Sequence, residues 1–293
     1  MIVSVASGKG GTGKTTVTSS LTVVWDGPVV AVDLDVEEPN LHLFLRPAIN
    51  GTEAAHMVVP EVDESRCNYC GSCSDLCQFK ALSVMRGVML TFPEMCHGCG
   101  GCIAICPEKA IGKGNRELGK ISWGQAGKAD FLMGKLRIGE AMSPPLMRQV
   151  KAKLNGILAL TGGDAVIDAP PGVSCPAVNA VMDTDVILLV TEPTPFGFYD
   201  FKLAWEAFSP LGIPMGAVVN RAGLGDDAIY GFCRDKGLPI LAEIPYDRAV
   251  AEAYARGRII AEESPNLRGT FTSLLTEIRK LANRPGSTEA VHA

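Results

Sequence analysis

Eight of the chain's ten cysteines fall into two runs of one spacing, Cys67, Cys70, Cys73 and Cys77 in "CNYCGSCSDLC", then Cys96, Cys99, Cys102 and Cys106 in "CHGCGGCIAIC". A C-x2-C-x2-C-x3-C run closed by proline, as at Cys106–Pro107, is a thiolate arrangement for two [4Fe–4S] clusters. Three thiolates on one tight loop wrap three corners of a cubane, and the fourth begins a short helix leading to the other cluster. The expected sets are therefore Cys67, Cys70, Cys73 and Cys106 for one cluster, and Cys96, Cys99, Cys102 and Cys77 for the other. Gly71, Gly98, Gly100 and Gly101 let backbone N–H groups approach the sulfides. Four cysteines also suit tetrahedral zinc, although zinc ribbons usually set a longer loop between their C-x2-C pairs. The first run ends Cys77–Gln78, without the proline. His97 reads as a solvated loop residue or, more sharply, as a tuner of the adjacent cluster. Of the two remaining cysteines, Cys233 reads as a small helix residue near the core.

The second chemical stretch is "SGKGGTGKTT". Gly8-x4-Gly13-Lys14-Thr15 fits a phosphate-binding loop, in which N–H groups of Gly8, Gly10, Gly11, Thr12, Gly13 and Thr16 cradle phosphates. Lys14 then reaches the β- and γ-oxygens of ATP, and the Thr15 hydroxyl binds Mg²⁺. The same letters fit G-x-G-x-x-G, with Asp33 twenty residues on, as in a dinucleotide site. The Lys-Thr pair and a strand ending at Asp168 in "DAVIDAPPG" favour the triphosphate. Asp33 is expected to support the metal or the loop, and Asp35 to position the attacking water. Glu37 and Glu38 read as surface charges. Lys9 is a second lysine where one suffices.

These side chains need elements to aim them. "IVSVA" before the loop is β-branched and short, as a buried parallel strand requires, and a helix opens near Lys14. "VVAVD", "AVIDA", "VILLVTE", "GAVVN" and "ILAEI" are further strands separated by helical stretches. That rhythm predicts an α/β fold, a doubly wound and mostly parallel sheet with helices on both faces. "KISWGQAGKADFLMGKLRIG" reads as two strands or a hairpin, and "AMSPPLMRQVKAKL" as a helix entered through Pro144 and Pro145. The glycine- and proline-bearing "VVPEVDESR" and "GKGNRELGK" read as linkers flanking an insertion. The last helix places Phe271, Leu274, Leu275, Ile278 and Leu281 on one face, read as packing on the domain.

Composition narrows the class. The 293 residues suffice for a large α/β domain with a small module. With 27 Lys+Arg against 32 Asp+Glu, a net charge of -5, nucleic-acid binding lacks its electrostatic footprint. No apolar run reaches the ~18–20 residues of a membrane span, and the N-terminus does not resemble a signal peptide. A cytoplasmic location is expected, with cysteines serving as metal ligands. Six basic residues between Lys113 and Arg137 read as a solvated face, or as a docking surface for an acidic electron carrier.

With these motifs placed, K-G-G-T-G-K-T-T, the D-L-D of Asp33 to Asp35, "DAPPG" at 168–172, "VVNR" at 218–221 and "EIPYD" at 243–247 together resemble the MinD/ParA/Mrp group of deviant Walker-A ATPases. More narrowly, the chain resembles members carrying an inserted two-cluster, ferredoxin-like α+β domain. The expected organisation is ATPase parts at 1–60 and 113–284, the inserted domain at 61–112 between the two linkers, and a flexible tail at 285–293 that the resemblance does not cover. The resemblance implies that Asp35 assists water attack, that Asp168 senses the γ-phosphate through Mg²⁺, that Asn220 reads adenine and that Pro245 lines the base pocket. Lys9 matches the signature lysine that reaches the partner subunit's nucleotide when two protomers close. ATP binding should thus bring together a homodimer or a paralogous heterodimer, coupled to electron transfer toward a redox partner or other metalloprotein. The alternatives are a cluster- or metal-delivery factor, using the clusters or a site made by Cys175 from two protomers, and a redox-sensing positioning ATPase.

Overall fold

A computed structural model describes residues 1–283, and the tail expected at 285–293 lies outside them. The chain begins with β1 (Ile2–Ala6), α1 (Lys14–Val24), β2 (Val29–Asp33) and α2 (Leu41–Leu45). The long β3 (Ala48–Val62) leads to α3 (Ser72–Leu76), the hairpin β4 (Leu82–Met85) and β5 (Val88–Thr91), then α4 (Gly101–Ile105). The chain returns along β6 (Ile111–Ala126) and β7 (Ala129–Leu136) into α5 (Ser143–Thr161). Strand and helix then alternate: β8 (Asp164–Asp168), α6 (Cys175–Val181), β9 (Val186–Thr191), α7 (Pro195–Phe208), β10 (Met215–Ala222), α8 (Ala228–Lys236) and β11 (Ile240–Pro245). Three helices close the described chain: α9 (Arg248–Ala255), α10 (Ile260–Glu263) and α11 (Pro265–Ala282).

Nine strands form one sheet in the order β11-β10-β9-β1-β8-β2-β7-β6-β3. Pairing from β11 through to β7 is parallel throughout. The central strands β2 and β9 are buried along their whole length, as apolar strands covered on both faces must be. On one face α1 and α11 pack Val17, Leu21, Phe271, Leu274 and Ile278 against Val3, Val5 and Val166. The expected apolar stripe of the last helix is thus spent inside the core. Among the described residues no helix is long and apolar enough to cross a membrane.

The chain divides into two compact units, one of residues 1–52, 121–135 and 147 onward, the other of Glu53–Lys120 with Leu136–Leu146. The second is wider than the 61–112 expected, because the two presumed linkers are β-structure. "GKGNRELGK" lies wholly within β6, and "VVPEVDESR" is strand as far as Val62. Pro60 lies on β3, the outermost strand of the order, which is where sheets tolerate proline because one edge of the strand makes no ladder bonds. In the second unit Leu82, Met89 and Ile111 share a small core with Cys73 and Cys102, and β4 pairs antiparallel with β5. Arg116, counted with the basic surface, is instead buried there, paired with Glu140 at 3.2 Å.

Candidate functional site

The carboxyl ends of β1, β2, β8, β9 and β10 deliver the polar residues of the first unit, as strand ends do in a doubly wound sheet. After β1 the chain loops from Ser7 to Gly13 and enters α1, whose first N–H groups have no helical acceptors and form an anion cradle. Gly8 is demanded by crowding: a Cβ there would lie 1.9 Å from the Asp200 carbonyl oxygen. Gly13 has φ +100, and a Cβ would meet the Asn220 amide nitrogen at 2.3 Å. That nitrogen donates to the Thr12 carbonyl at 2.8 Å, so Asn220 braces the loop from beneath. Gly10 and Gly11 border open space. Pro245 is exposed at the end of β11, and the next residue, Tyr246, donates its N–H to Ala222 at the end of β10.

Lys14 is buried, and burial lowers its pKa against the pull of Asp168, Asp35 and Asp33. The Thr15 hydroxyl donates to Asp168 at 2.6 Å and lies 2.8 Å from the Asn40 side-chain oxygen. Burial lifts the Asp168 carboxyl to about 6, against Lys14 and the Thr15 hydrogen bond. Asp33 is fully buried and accepts N–H bonds from Asp35, Asn40 and Leu41 at 3.1, 3.0 and 2.9 Å. Of its two expected roles the geometry therefore displays the loop-holding one. Its pKa is raised by burial first and by the Asp168 charge second. Asp35, half-buried, is lifted by burial to about 6, against the Glu38 N–H and the Lys14 charge. Buried carboxyls with raised pKa values beside a hydroxyl are groups whose ionised forms gain from a cation, and this donor set of Thr15 and Asp168 fits Mg²⁺.

Lys9 does not hang free. Its ammonium lies 2.7 Å from Glu192, just beyond β9, whose side chain is only 7% exposed. Arg221 holds the other carboxylate oxygen at 2.5 Å. Burial would raise the Glu192 pKa, but the hydrogen bond and charge of Lys9, with Arg221, hold it below the ordinary glutamate value. Glu192 and Asn40 escaped the sequence reading. The signal for Glu192 was its position, one residue past a buried strand of the phosphate-facing sheet.

In the second unit the eight cysteines ring two cavities. One, of about 70 Å³, is lined by Cys77, Cys96, Cys99 and Cys102 with Phe79 and His97. The other, of about 20 Å³, is lined by Cys67, Cys70, Cys73 and Cys106 with Asn68 and Glu108. Each ring takes three thiols from one run and the fourth from the other. Backbone N–H groups point at the sulfurs in a repeated pattern: Tyr69 to Cys67 and Gly98 to Cys96, then Ala81 to Cys77 and Ala110 to Cys106, at 3.3–3.4 Å. The backbone repeats as well, with left-handed φ at Tyr69 and Gly98 and at Lys80 and Lys109. The lids differ. His97 stacks on Phe79 with ring centroids 3.4 Å apart, whereas Asn68 donates to Glu108 at 3.1 Å. Among the described residues no three His, Cys, Asp or Glu side chains close on a single-ion position. The donor chemistry is all thiol, and burial pushes Cys73 and Cys102 up in pKa, which favours their protonated forms. Cys175 is a free, exposed thiol opening α6, and Cys233 is buried in α8.

The family model described as CobQ/CobB/MinD/ParA nucleotide binding domain matches residues 3–260. Two proteins of Methanocaldococcus jannaschii, the uncharacterized proteins MJ0579 and MJ0578, are each 30% identical. The first aligns over 88% of this chain and 90% of its own length, the second over 96% and 97%. Among solved structures, the septum site-determining protein MinD of Pyrococcus horikoshii, complexed with Mg-ADP, superposes with a TM-score of 0.59. It is 23% identical, over 96% of this chain and 97% of its own.

Proposed function

We propose, since this chain belongs to the CobQ/CobB/MinD/ParA nucleotide-binding family, that it hydrolyses ATP and couples closure of two protomers to electron transfer through two [4Fe–4S] clusters. The observation that carries the reading is the coexistence, in one chain, of the braced phosphate loop and two four-thiol cavities. The loop N–H groups from Gly8 to Thr16 bind the phosphates of ATP, and Lys14 neutralises the transferred group. Thr15 and Asp168 would hold Mg²⁺, which supplies charge neutralisation at the β- and γ-oxygens. Asp35, with a pKa of about 6, accepts a proton from the attacking water. Lys9 serves the partner's nucleotide on closure, and Asn220 and Pro245 border the base.

The second unit is then an inserted ferredoxin-like domain. Cys67, Cys70, Cys73 and Cys106 would hold one cluster, and Cys77, Cys96, Cys99 and Cys102 the other, the two supplying one-electron transfer at low potential. The C-x2-C-x2-C-x3-C spacing favours a multi-iron group over Zn²⁺, whose ribbons usually set a longer loop between their C-x2-C pairs. The N–H bonds to Cys67, Cys77, Cys96 and Cys106 stabilise the thiolates. The electron acceptor is a redox protein or other metalloprotein.

The test is anaerobic reconstitution, iron and sulfide analysis, and a redox titration with and without Mg-ATP. About eight irons per chain and an ATP-dependent change in potential or transfer rate support the reading. Full loading with no response to ATP overturns the coupling, and absence of iron and sulfide overturns the clusters.

A further inference from the structure

Two cations share one buried carboxylate beside the phosphate loop, Lys9 on Oε1 of Glu192 and Arg221 on Oε2, with the Thr194 hydroxyl donating to Oε1 at 3.3 Å. Arg221 does not arrive there by default. Its φ is +56, a left-handed conformation that a long side chain adopts only where its surroundings over-determine it. The register of β10 against β11 shifts between Asn220 and Ala222, so an irregularity of the ladder falls on this residue. Such bulges re-aim a side chain. The second guanidinium nitrogen lies 3.5 Å from the Gly11 carbonyl, in the phosphate loop itself.

A lysine that serves a second chain must first leave its own. Were Lys9 the sole partner of Glu192, its departure would strand a nearly buried carboxylate without a counter-charge, which is strongly unfavourable. With Arg221 in place the carboxylate stays paired after Lys9 has gone. We infer that Arg221 is a positioning residue that retains the charge of Glu192 and so releases Lys9 to the nucleotide of a second copy of this chain. The inference rests on the trans role of Lys9 proposed above. Arg221 touches neither water nor phosphate in this scheme. Its contribution is to the closure equilibrium, not to nucleotide affinity.

The experiment measures ADP affinity by titration with a fluorescent ADP analogue, and ATP-driven dimerisation by analytical ultracentrifugation. It compares the full chain with Arg221→Gly, Arg221→Lys, Lys9→Ala and the double variant Arg221→Gly/Glu192→Gln. Glycine suits the left-handed backbone and removes the guanidinium without adding strain. Arg221→Gly should keep its ADP affinity within about threefold while weakening dimerisation by about tenfold or more. Arg221→Lys should restore part of the loss, and neutralising Glu192 in the Arg221→Gly background should restore most of it. A dimer lost in Lys9→Ala but unchanged in Arg221→Gly overturns this inference alone, as does a double variant no better than Arg221→Gly. No ATP-driven dimer in the unaltered chain overturns the trans reading and this inference with it.

Discussion

Asp168 offers a sharp test of the electrostatics at the phosphate site, because its burial has a thermodynamic signature in the nucleotide-free protein. Its pKa rises from 3.8 to about 6 on folding, a difference of roughly two units at ~1.4 kcal/mol each, or about 3 kcal/mol in total. Below about pH 4 the group is protonated in both states and costs nothing. Between about 4 and 6 the folded chain binds more protons than the unfolded chain, so stability falls as pH rises. Above about 6 the full penalty is present and constant. Asp168→Asn keeps an acceptor for the Thr15 hydroxyl but removes the ionisation. Urea unfolding in EDTA, across pH 4.5 to 7.5, should therefore show the unaltered protein losing more stability than the variant by roughly 2 kcal/mol, about 1 kcal/mol of the penalty being already present at the lower end. Mg²⁺ with ADP should cancel the high-pH penalty in the unaltered protein and do little for Asp168→Asn. Parallel pH profiles for the two proteins would refute the reasoning, since the Asp168 charge would then be no burden to the folded state.

Cys106→Ala should empty the cavity of Cys67, Cys70 and Cys73, and Cys77→Ala that of Cys96, Cys99 and Cys102. On the two-cluster proposal each reconstituted variant should hold half the iron of the unaltered chain, and alkylation mapping should label the opposite run; labelling of the mutated run would contradict the partition. Thr15→Ala removes the hydroxyl bonded to Asp168 and should weaken Mg-ADP binding about tenfold or more, a charged hydrogen bond being worth ~1.5–3 kcal/mol, as isothermal titration can check. Phe271→Ala should cost about 3–5 kcal/mol by opening a cavity where α11 meets the sheet. Its effect should appear in thermal unfolding with no change in vesicle binding, because the side chain is fully buried.

Much of this was legible where function is contiguous in the chain. The phosphate loop announces itself because one turn and one helix end make the cradle, and its neighbour β1 is a short β-branched run. The grouping of the cysteines around two cavities was legible because their spacing constrains which of them can line a common space. Glu192, Asn40 and Arg221 were not, since their roles arise only where separate strand ends converge, and no local pattern records that meeting. The failures at "VVPEVDESR" and "GKGNRELGK" have another origin. Glycine and proline mark loops because they weaken a ladder, yet an outer pair of strands tolerates both. Gly114 is in fact packed, with only 3.2 Å between a hypothetical Cβ and that of Glu61. Arg116 was miscounted as surface because its partner, Glu140, lies beyond the next strand.

The neighbouring strands β3 and β6 carry the chain out of the nucleotide-binding unit and back again, and at their boundary the hydroxyls of Thr52 and Ser122 stand 2.9 Å apart. Exit and return are therefore adjacent, spaced as the two legs of an ordinary hairpin. Such a junction is a splice point: everything from Glu53 to Lys120 could shrink to a tight turn, or grow into something else, without reopening the sheet. Acquiring the second unit would then have required no redesign of the nucleotide-binding unit, only the lengthening of one hairpin until its tip became a compact body of its own.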